Sequence, residues 1–451
     1  MNPTQPSQIR CILWDATARR PFRGKYVPLE PEPEACSAST HDASHEIEEN
    51  SLSKILPRCW FDKRPRLPIG WSPPHPQSSI TKLRSMLRIV PPTPTPTIAL
   101  WLSLVVGAPA CSAPPTENRH AHKTLQFGIW IGKEEIASIP THGEAWKQLI
   151  KEANQPIESA NLADQDDRDN VRAFAKALVY LRTGNRRYRD EVVAACAAII
   201  GSEDSGNTLA LGRELIAYVL AADLVKLPPR DDKKFRAWLR GLRTKRLNNR
   251  RTLISTHEDR PNNWGTHAGA SRLAVAAYLE DRDEIERCAQ VFKGWLGDRS
   301  AYAEFKYGDD LSWQVDPRRP VGINPIDSKQ NGYVVDGVLP DDQRRGGPFQ
   351  WPPAKENYVY EALQGAFGQA VILDRAGYDV WDWEDRALLR AFRWLHDEAK
   401  FPADGDDGWL PHLVNHYYDA QFPAPVPAQP GKNLGWTDWT HARRTGASPS
   451  R

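Results

Sequence analysis

Val171-Arg-Ala-Phe174-Ala175-Lys-Ala-Leu178-Val-Tyr-Leu181 is the stretch on which the reading of this chain turns. Its apolar residues Val171, Phe174, Ala175, Leu178 and Leu181 recur at i, i+3, i+4 and i+7, which is one face of a helix and not the alternation of a strand. The same period returns on both sides of it. Tyr188, Val192, Cys196 and Ile199 form a second stripe, Leu215, Ile216, Val219, Leu220 and Leu224 a third, and Phe235, Trp238, Leu239 and Leu242 a fourth. Leu227-Pro-Pro ends the third helix, because proline lacks the N–H that a helix needs. Further helices are predicted from about Trp264 to Leu279, Glu284 to Trp295, Tyr358 to Ala376 and Glu384 to Ala399. The links between them are mostly short, so successive amphipathic helices should pack as antiparallel pairs. There is no βαβ alternation, no glycine-rich phosphate loop and no run of alternating strands. The expectation is an all-α array of helical hairpins, closed wholly or partly into an (α/α) toroid, with long irregular loops at 304–353 and 401–451. Periodicity alone does not decide closure.

The 451 residues carry 59 Lys plus Arg against 57 Asp plus Glu, a formal net charge of +2. That balance gives no case for nucleic-acid binding, which shows a clustered basic surface. An acidic ligand must then be met by a local basic site. Seventeen Trp residues are present; indole stacks on sugar rings, and it also fills cores.

Met86 opens a second pattern. Met-Leu-Arg is followed by Ile89 to Thr97 and then by the apolar run Ile98-Ala-Leu-Trp-Leu-Ser-Leu-Val-Val-Gly-Ala-Pro-Ala-Cys111. A basic start, a short apolar stretch and small residues before a cleavage point make a secretory signal peptide. The run is short for a membrane span, so no stable insertion is expected once it is removed. The protein should be periplasmic or secreted, with Cys111 offering a lipoprotein attachment point beside a poor lipobox. Residues 1–85 hold no sustained period and read as a disordered or mis-assigned leader. The organisation expected is thus a leader (1–85), a signal peptide (86–111), a helical domain (112–440) and a flexible tail (441–451). Cys196 and Cys288 sit in helical patterns and read as small buried hydrophobes.

The densest polar and aromatic cluster is His257-Glu258-Asp259-Arg260-Pro261-Asn262-Asn263-Trp264-Gly265-Thr266-His267, just before an Ala-rich helix. One Asn can serve as the N-cap. Two Asn, a Trp and two His exceed what capping requires. With the helix starting near Asn263, His267 lies one turn on, on roughly the same face.

Asn262-Asn263-x-x-x-His267 at a helix start resembles the Asn-Asn-His or Asn-Asn-x-Gly-Thr signatures of the alginate-lyase-like polysaccharide lyases. Phe127-Gly-Ile-Trp-Ile-Gly-Lys-Glu-Glu-Ile-Ala-Ser-Ile-Pro-Thr is similar to the start of that domain. Leu339-Pro-Asp-Asp-Gln-Arg344-Arg345, followed by Tyr358-Val-Tyr360-Glu, is similar to the stretch in which such lyases carry an active-site Arg and Tyr. The resemblance spans roughly 127–440. It implies an (α/α) toroid and cleavage of a uronate-containing polysaccharide by β-elimination, with an acidic glycan as partner and no cofactor or metal. The chain departs from the pattern where Trp264 replaces a His directly after the Asn pair, and where Gly346-Gly-Pro-Phe-Gln-Trp-Pro-Pro-Ala-Lys separates the Arg and Tyr motifs.

β-Elimination removes the proton on C5 of a uronate and expels the oxygen on C4. Donors aimed at the sugar carboxylate stabilise the enolate-like transition state. On this resemblance Asn263 is the donor and Arg344 or Arg345 the charged partner. His267 is the base and Tyr358 the acid, or Tyr358 does both where the sugar geometry is syn. Asn262, Trp264, Arg345, Glu258, His412 and His416 are expected around the substrate. His412-x-x-x-His416 also has metal-ligand spacing but no carboxylate within it, and Asp404-Gly-Asp-Asp-Gly reads as a polar turn. Two other functions remain open. An inverting glycoside hydrolase needs two carboxylates across a cleft, which Glu304, Asp309 and Asp310 can supply. A non-catalytic glycan-binding protein needs none.

Overall fold

The computed structural model describes residues 128–442; the leader, the signal peptide with Cys111 and most of the tail lie outside them. In order, the helices are α1 (Lys133–Ala137), α2 (Glu144–Ala153), α3 (Asp169–Thr183), α4 (Arg186–Ala198), α5 (Thr208–Val225), α6 (Pro229–Leu242) and α7 (Leu253–Asp259). There follow α8 (Asn263–Leu279), α9 (Arg282–Leu296), α10 (Pro340–Gln343), α11 (Val359–Arg375), α12 (Trp383–Arg393), α13 (Leu410–Tyr418) and α14 (Thr437–Thr440). The strands among the described residues are the antiparallel pair β1 (Lys329–Gln330) and β2 (Tyr333–Val334).

The helices are of two kinds. α5, α8 and α11 are buried over almost their whole length, and α3 over most of it. α2, α6, α9 and α12 bury a single stripe and turn charged residues outward. A helix that is apolar all round belongs inside, and one with a stripe belongs outside. The chain alternates between the two, which makes an all-α, toroid-like double layer.

The inner helices run side by side in one direction. Gly365 of α11 lies against the Thr266–His267 backbone of α8, so close that a Cβ there would sit 2.4 Å from a carbonyl carbon. Gly212 of α5 meets His267 and Ala268 in the same layer, and further along Ile216, Ala270 and Gly368 meet. Depth into each helix increases together, so their N-termini share one end of the array. The last segment packs back on the first: Trp436 Nε1 donates to the Val171 carbonyl (3.1 Å) and Trp439 Nε1 to that of Pro140 (2.9 Å). Arg375, at the end of α11, donates to Gly128 O at 2.7 Å.

The helices expected from the period are present, with shifts at their ends. The 401–451 stretch is less irregular than expected, because it holds α13 and α14; α13 starts with Pro411 in its first turn, where a missing N–H costs nothing. The helix expected from Glu384 to Ala399 is interrupted. Glu384, Asp385 and Arg386 have left-handed backbone (φ 49, 55 and 60) and Trp394–Glu398 is a wide π turn. Arg390 donates to the carbonyls of Glu384 and Asp385 (3.0 Å each), replacing the ladder bonds lost there. The 304–353 loop is held in place by buried Asn324, whose Nδ2 donates to Trp313 O (3.0 Å) and whose carbonyl accepts from Arg390 (2.9 Å).

Candidate active site

The site starts where α7 hands over to α8. Arg260 is extended (φ −104, ψ 114) and ends α7, because a residue before proline is pushed out of the helical region. Asn262 then caps α8: its Oδ1 accepts from Trp264 N (3.2 Å), while its Nδ2 donates to Asp341 Oδ2 (2.8 Å). Asn263 N donates to Asp342 Oδ1 (3.0 Å). The two aspartates of α10 therefore sit on the N-terminus of α8, where carboxyls are favoured. Burial raises the Asp342 carboxyl well above its ordinary value, against the bond from Asn263.

One turn later the two arginines part. Arg344 Nε donates to Asp341 Oδ1 (2.7 Å). Arg345 Nη1 donates to Asn263 Oδ1 (2.9 Å), and its guanidinium carbon lies 3.7 Å from the centre of the Tyr358 ring. Tyr358 is the residue just before α11 and is 41% exposed. Because its oxygen is occupied by Arg345, Asn263 has only its Nδ2 hydrogens to offer; the residue is 1% exposed, and these hydrogens meet no protein acceptor. The Tyr358 hydroxyl, on an exposed residue, also meets no protein acceptor. An exposed guanidinium and an exposed phenol thus stand beside a nearly covered amide at the N-terminal end of α8 and α11.

Beneath them lies a sealed layer. His267 follows Asn263 by four residues and Glu361 follows Tyr358 by three, so each is on the same helix face as its partner above. His267 is wholly buried, and neither ring nitrogen makes a hydrogen bond. Its Nε2 lies 3.5 Å from Glu361 Oε2. Glu361 is ion-paired with Arg213 of α5 and with Lys432 (2.7 Å). Burial pushes His267 below its ordinary value, helped by Arg213 and Lys432 and opposed by Glu361. Burial pushes Glu361 up, but His267, Arg213 and Lys432 outweigh it and hold the carboxyl well below the usual range. The layer is a neutral imidazole beside a fixed carboxylate between two cations.

Several expected site residues are therefore placed elsewhere. His267 is brought to the cluster but not presented to a ligand. Arg344 is spent on Asp341, and Asn262 is the helix cap. Glu258 Oε1 accepts from Arg272 and Arg287 (3.0 Å each), an ion-pair network between α7, α8 and α9. His412 Nε2 bonds the Pro425 carbonyl (2.8 Å), and exposed His416 packs edge-on against Tyr417 and His441. Glu304 and Asp309 are exposed, and Asp310 caps Ser312 N (2.9 Å). Gly405–Asp407 forms a 3-10 turn, in which burial raises Asp407 to about 8. Cys196 and Cys288 are free and buried, and burial pushes both thiols up to about 12.

Arg260, Arg213, Glu361 and Lys432 join the site although the sequence pattern gives them no role. Arg260 was inside the quoted cluster, and Glu361 follows Tyr358 at helical spacing. Nothing in the spacing of Arg213 and Lys432 points to α11; the fold brings them there.

The toroid-like helical array gathers Asn263, Arg345 and Tyr358 at one end of its inner helices. Residues 121–300 match the family model described as Alginate lyase, so this part of the chain is similar to the alginate-lyase-like polysaccharide lyases. The matched stretch includes Asn262 to His267 and ends before Arg345 and Tyr358. No curated protein matches the sequence. No helix among the described residues is long and apolar enough to cross a membrane.

Proposed function

We propose that the chain cleaves a polyuronate of the alginate or glucuronan type by β-elimination at Asn263, Arg345 and Tyr358. The observation that carries this is the trio itself: an amide N–H that meets no protein acceptor, held by an exposed guanidinium that lies over an exposed phenol. Asn263 Nδ2 and Arg345 take the sugar carboxylate and stabilise the charge that spreads into it as the C5 proton leaves. Tyr358, in its ionised form, accepts that proton. The C4–C5 double bond forms, the C4–O bond breaks with its electron pair on oxygen, and Tyr358 returns the proton to that oxygen. Arg345 lies over the ring and sets a positive charge beside the phenol. Arg344 becomes a positioning residue, fixing Asp341 and through it Asn262. His267 supports Glu361 from below. The apolar run at 98–111 supports export to the periplasm or beyond.

The test is a panel of polyuronates with ultraviolet detection. The intact chain should release unsaturated uronate, and Tyr358→Phe should not. Reducing ends without absorbance would instead favour a hydrolase, and binding without either product a glycan-binding protein.

A further inference from the structure

Arg260 is a second cation beside this trio that the reaction does not use. It is half-buried, and its guanidinium lies over the Trp264 indole, 5.2 Å from the ring centre. Among the described residues it meets no hydrogen-bond acceptor and no carboxylate at ion-pair distance. Other cations around it have carboxylate partners, Arg251 and Lys306 with Asp259 (2.7 and 2.8 Å) and Arg344 with Asp341 (2.7 Å), while Arg345 is held by the Asn263 amide. Burial and the charges of Arg251 and Arg345 work against the Arg260 cation, and Asp341 and Asp259 only partly offset them. A half-buried charge with no counter-ion is costly. No nitrogen of this guanidinium is among the sealed, unpartnered atoms, so the side chain can be reached from solvent. Its backbone is fixed too: Arg260 N donates to Thr256 O (3.1 Å), and its carbonyl lies where a Cβ on Gly265 would stand, 1.8 Å away.

We infer that Arg260, held flat by Trp264, binds the carboxylate of the sugar next to the one that is cleaved. The enzyme then reads two consecutive acid sugars and favours contiguous uronates over chains in which uronates alternate with neutral sugars. This rests on the lyase reading of Asn263, Arg345 and Tyr358. A planar guanidinium takes a carboxylate in a two-pronged grip that a lysine cannot reproduce.

The experiment measures affinity for a polyuronate and for its methyl ester, using the full chain with Tyr358→Phe so that the polymer survives. With Arg260→Ala, binding of the acid polymer should weaken by about 10-fold, as expected for loss of a charged hydrogen bond, and binding of the ester should not change. Arg260→Lys should recover part of the loss. Thermal midpoints should stay constant, since the side chain makes no protein hydrogen bond. Equal affinity with and without Arg260, or equal weakening for acid and ester, overturns the subsite alone. Absence of unsaturated product from the chain with native Tyr358 overturns the lyase reading, and the subsite with it.

Discussion

The two layers at the N-terminal end of α8 and α11 are made from the same helix faces and put to opposite uses. In the outer layer Arg345 ties Asn263 to Tyr358, and Arg345 and Tyr358 themselves are exposed. In the inner layer Arg213 and Lys432 both pair with Glu361, and His267 is enclosed beside them. One helical turn separates the layers. The outer layer keeps a cation and a phenol exposed, and the inner one encloses two cations around one carboxylate. The sealed layer keeps the inner helices in register, because a charge buried there without its partner is strongly destabilising.

The largest effect should separate the layers by function. Tyr358→Phe should lower kcat by roughly 10²- to 10⁴-fold, the usual range for loss of a proton-transfer group. Its thermal midpoint should hold, since the hydroxyl has no protein partner. Turnover measured by ultraviolet absorbance beside a melting curve checks both. A chain that keeps its rate without this hydroxyl ends the role given to Tyr358.

Next comes the sealed layer. Glu361→Gln leaves Arg213, only 3% exposed, without its counter-ion. Removing one partner of a buried pair costs about 3–5 kcal/mol, read as a drop in denaturation midpoint. The sign with pH is fixed by the lowered Glu361 carboxyl. Its contribution is complete above the ordinary carboxylate value of about 4.3 and is lost as pH falls below it. The gap between native and variant should therefore narrow on acidification. A gap that stays constant down to pH 3 contradicts the ion pair.

Gly265→Ala tests the link between α8 and the strip that carries Arg260. The new Cβ would stand 1.8 Å from the Arg260 carbonyl oxygen, so the two segments must move apart. Overpacking of this kind costs roughly 1–3 kcal/mol. The acid polymer should also bind more weakly, because Arg260 is carried away with its backbone. Unchanged stability would mean that the α7–α8 junction yields easily.

How much of this was legible in the sequence follows from the same division. The inner helices announced themselves by period, since a buried face must be apolar at every turn. Asn263 and Tyr358 were legible because each stands at a helix start within a short, unusual motif. The depth of His267 is not in the pattern: helical spacing gives the face of a residue, and one turn on from Asn263 the ring is wholly buried beside α5 and α11. Arg344 and Arg345 are adjacent in sequence and so point to different sides, one to Asp341 and one to Asn263; spacing alone could not choose. Glu258 and His412 were polar residues in suggestive places whose partners, Arg272, Arg287 and the Pro425 carbonyl, come from distant elements.

The smallest effect is the most direct test of how deeply His267 is enclosed. Burial holds its imidazole neutral in the folded chain, whereas an unfolded imidazole takes up a proton near pH 6.5. As pH falls below that value the unfolded state binds a proton that the folded state refuses, so the folded state loses stability. Other groups bend the same curve. His257 and His441 are held down by burial and act in the same direction. Glu356 and Asp407, raised by burial to about 7 and about 8, act in the opposite one, since the folded chain keeps protons there that the unfolded chain releases. Only a difference isolates His267. Urea midpoints of the native chain and of His267→Gln, taken at pH 7 and pH 5, should show a shallower loss on acidification for the variant. Equal losses would mean that His267 takes up its proton in the folded state, and the inner layer would then be open to solvent after all.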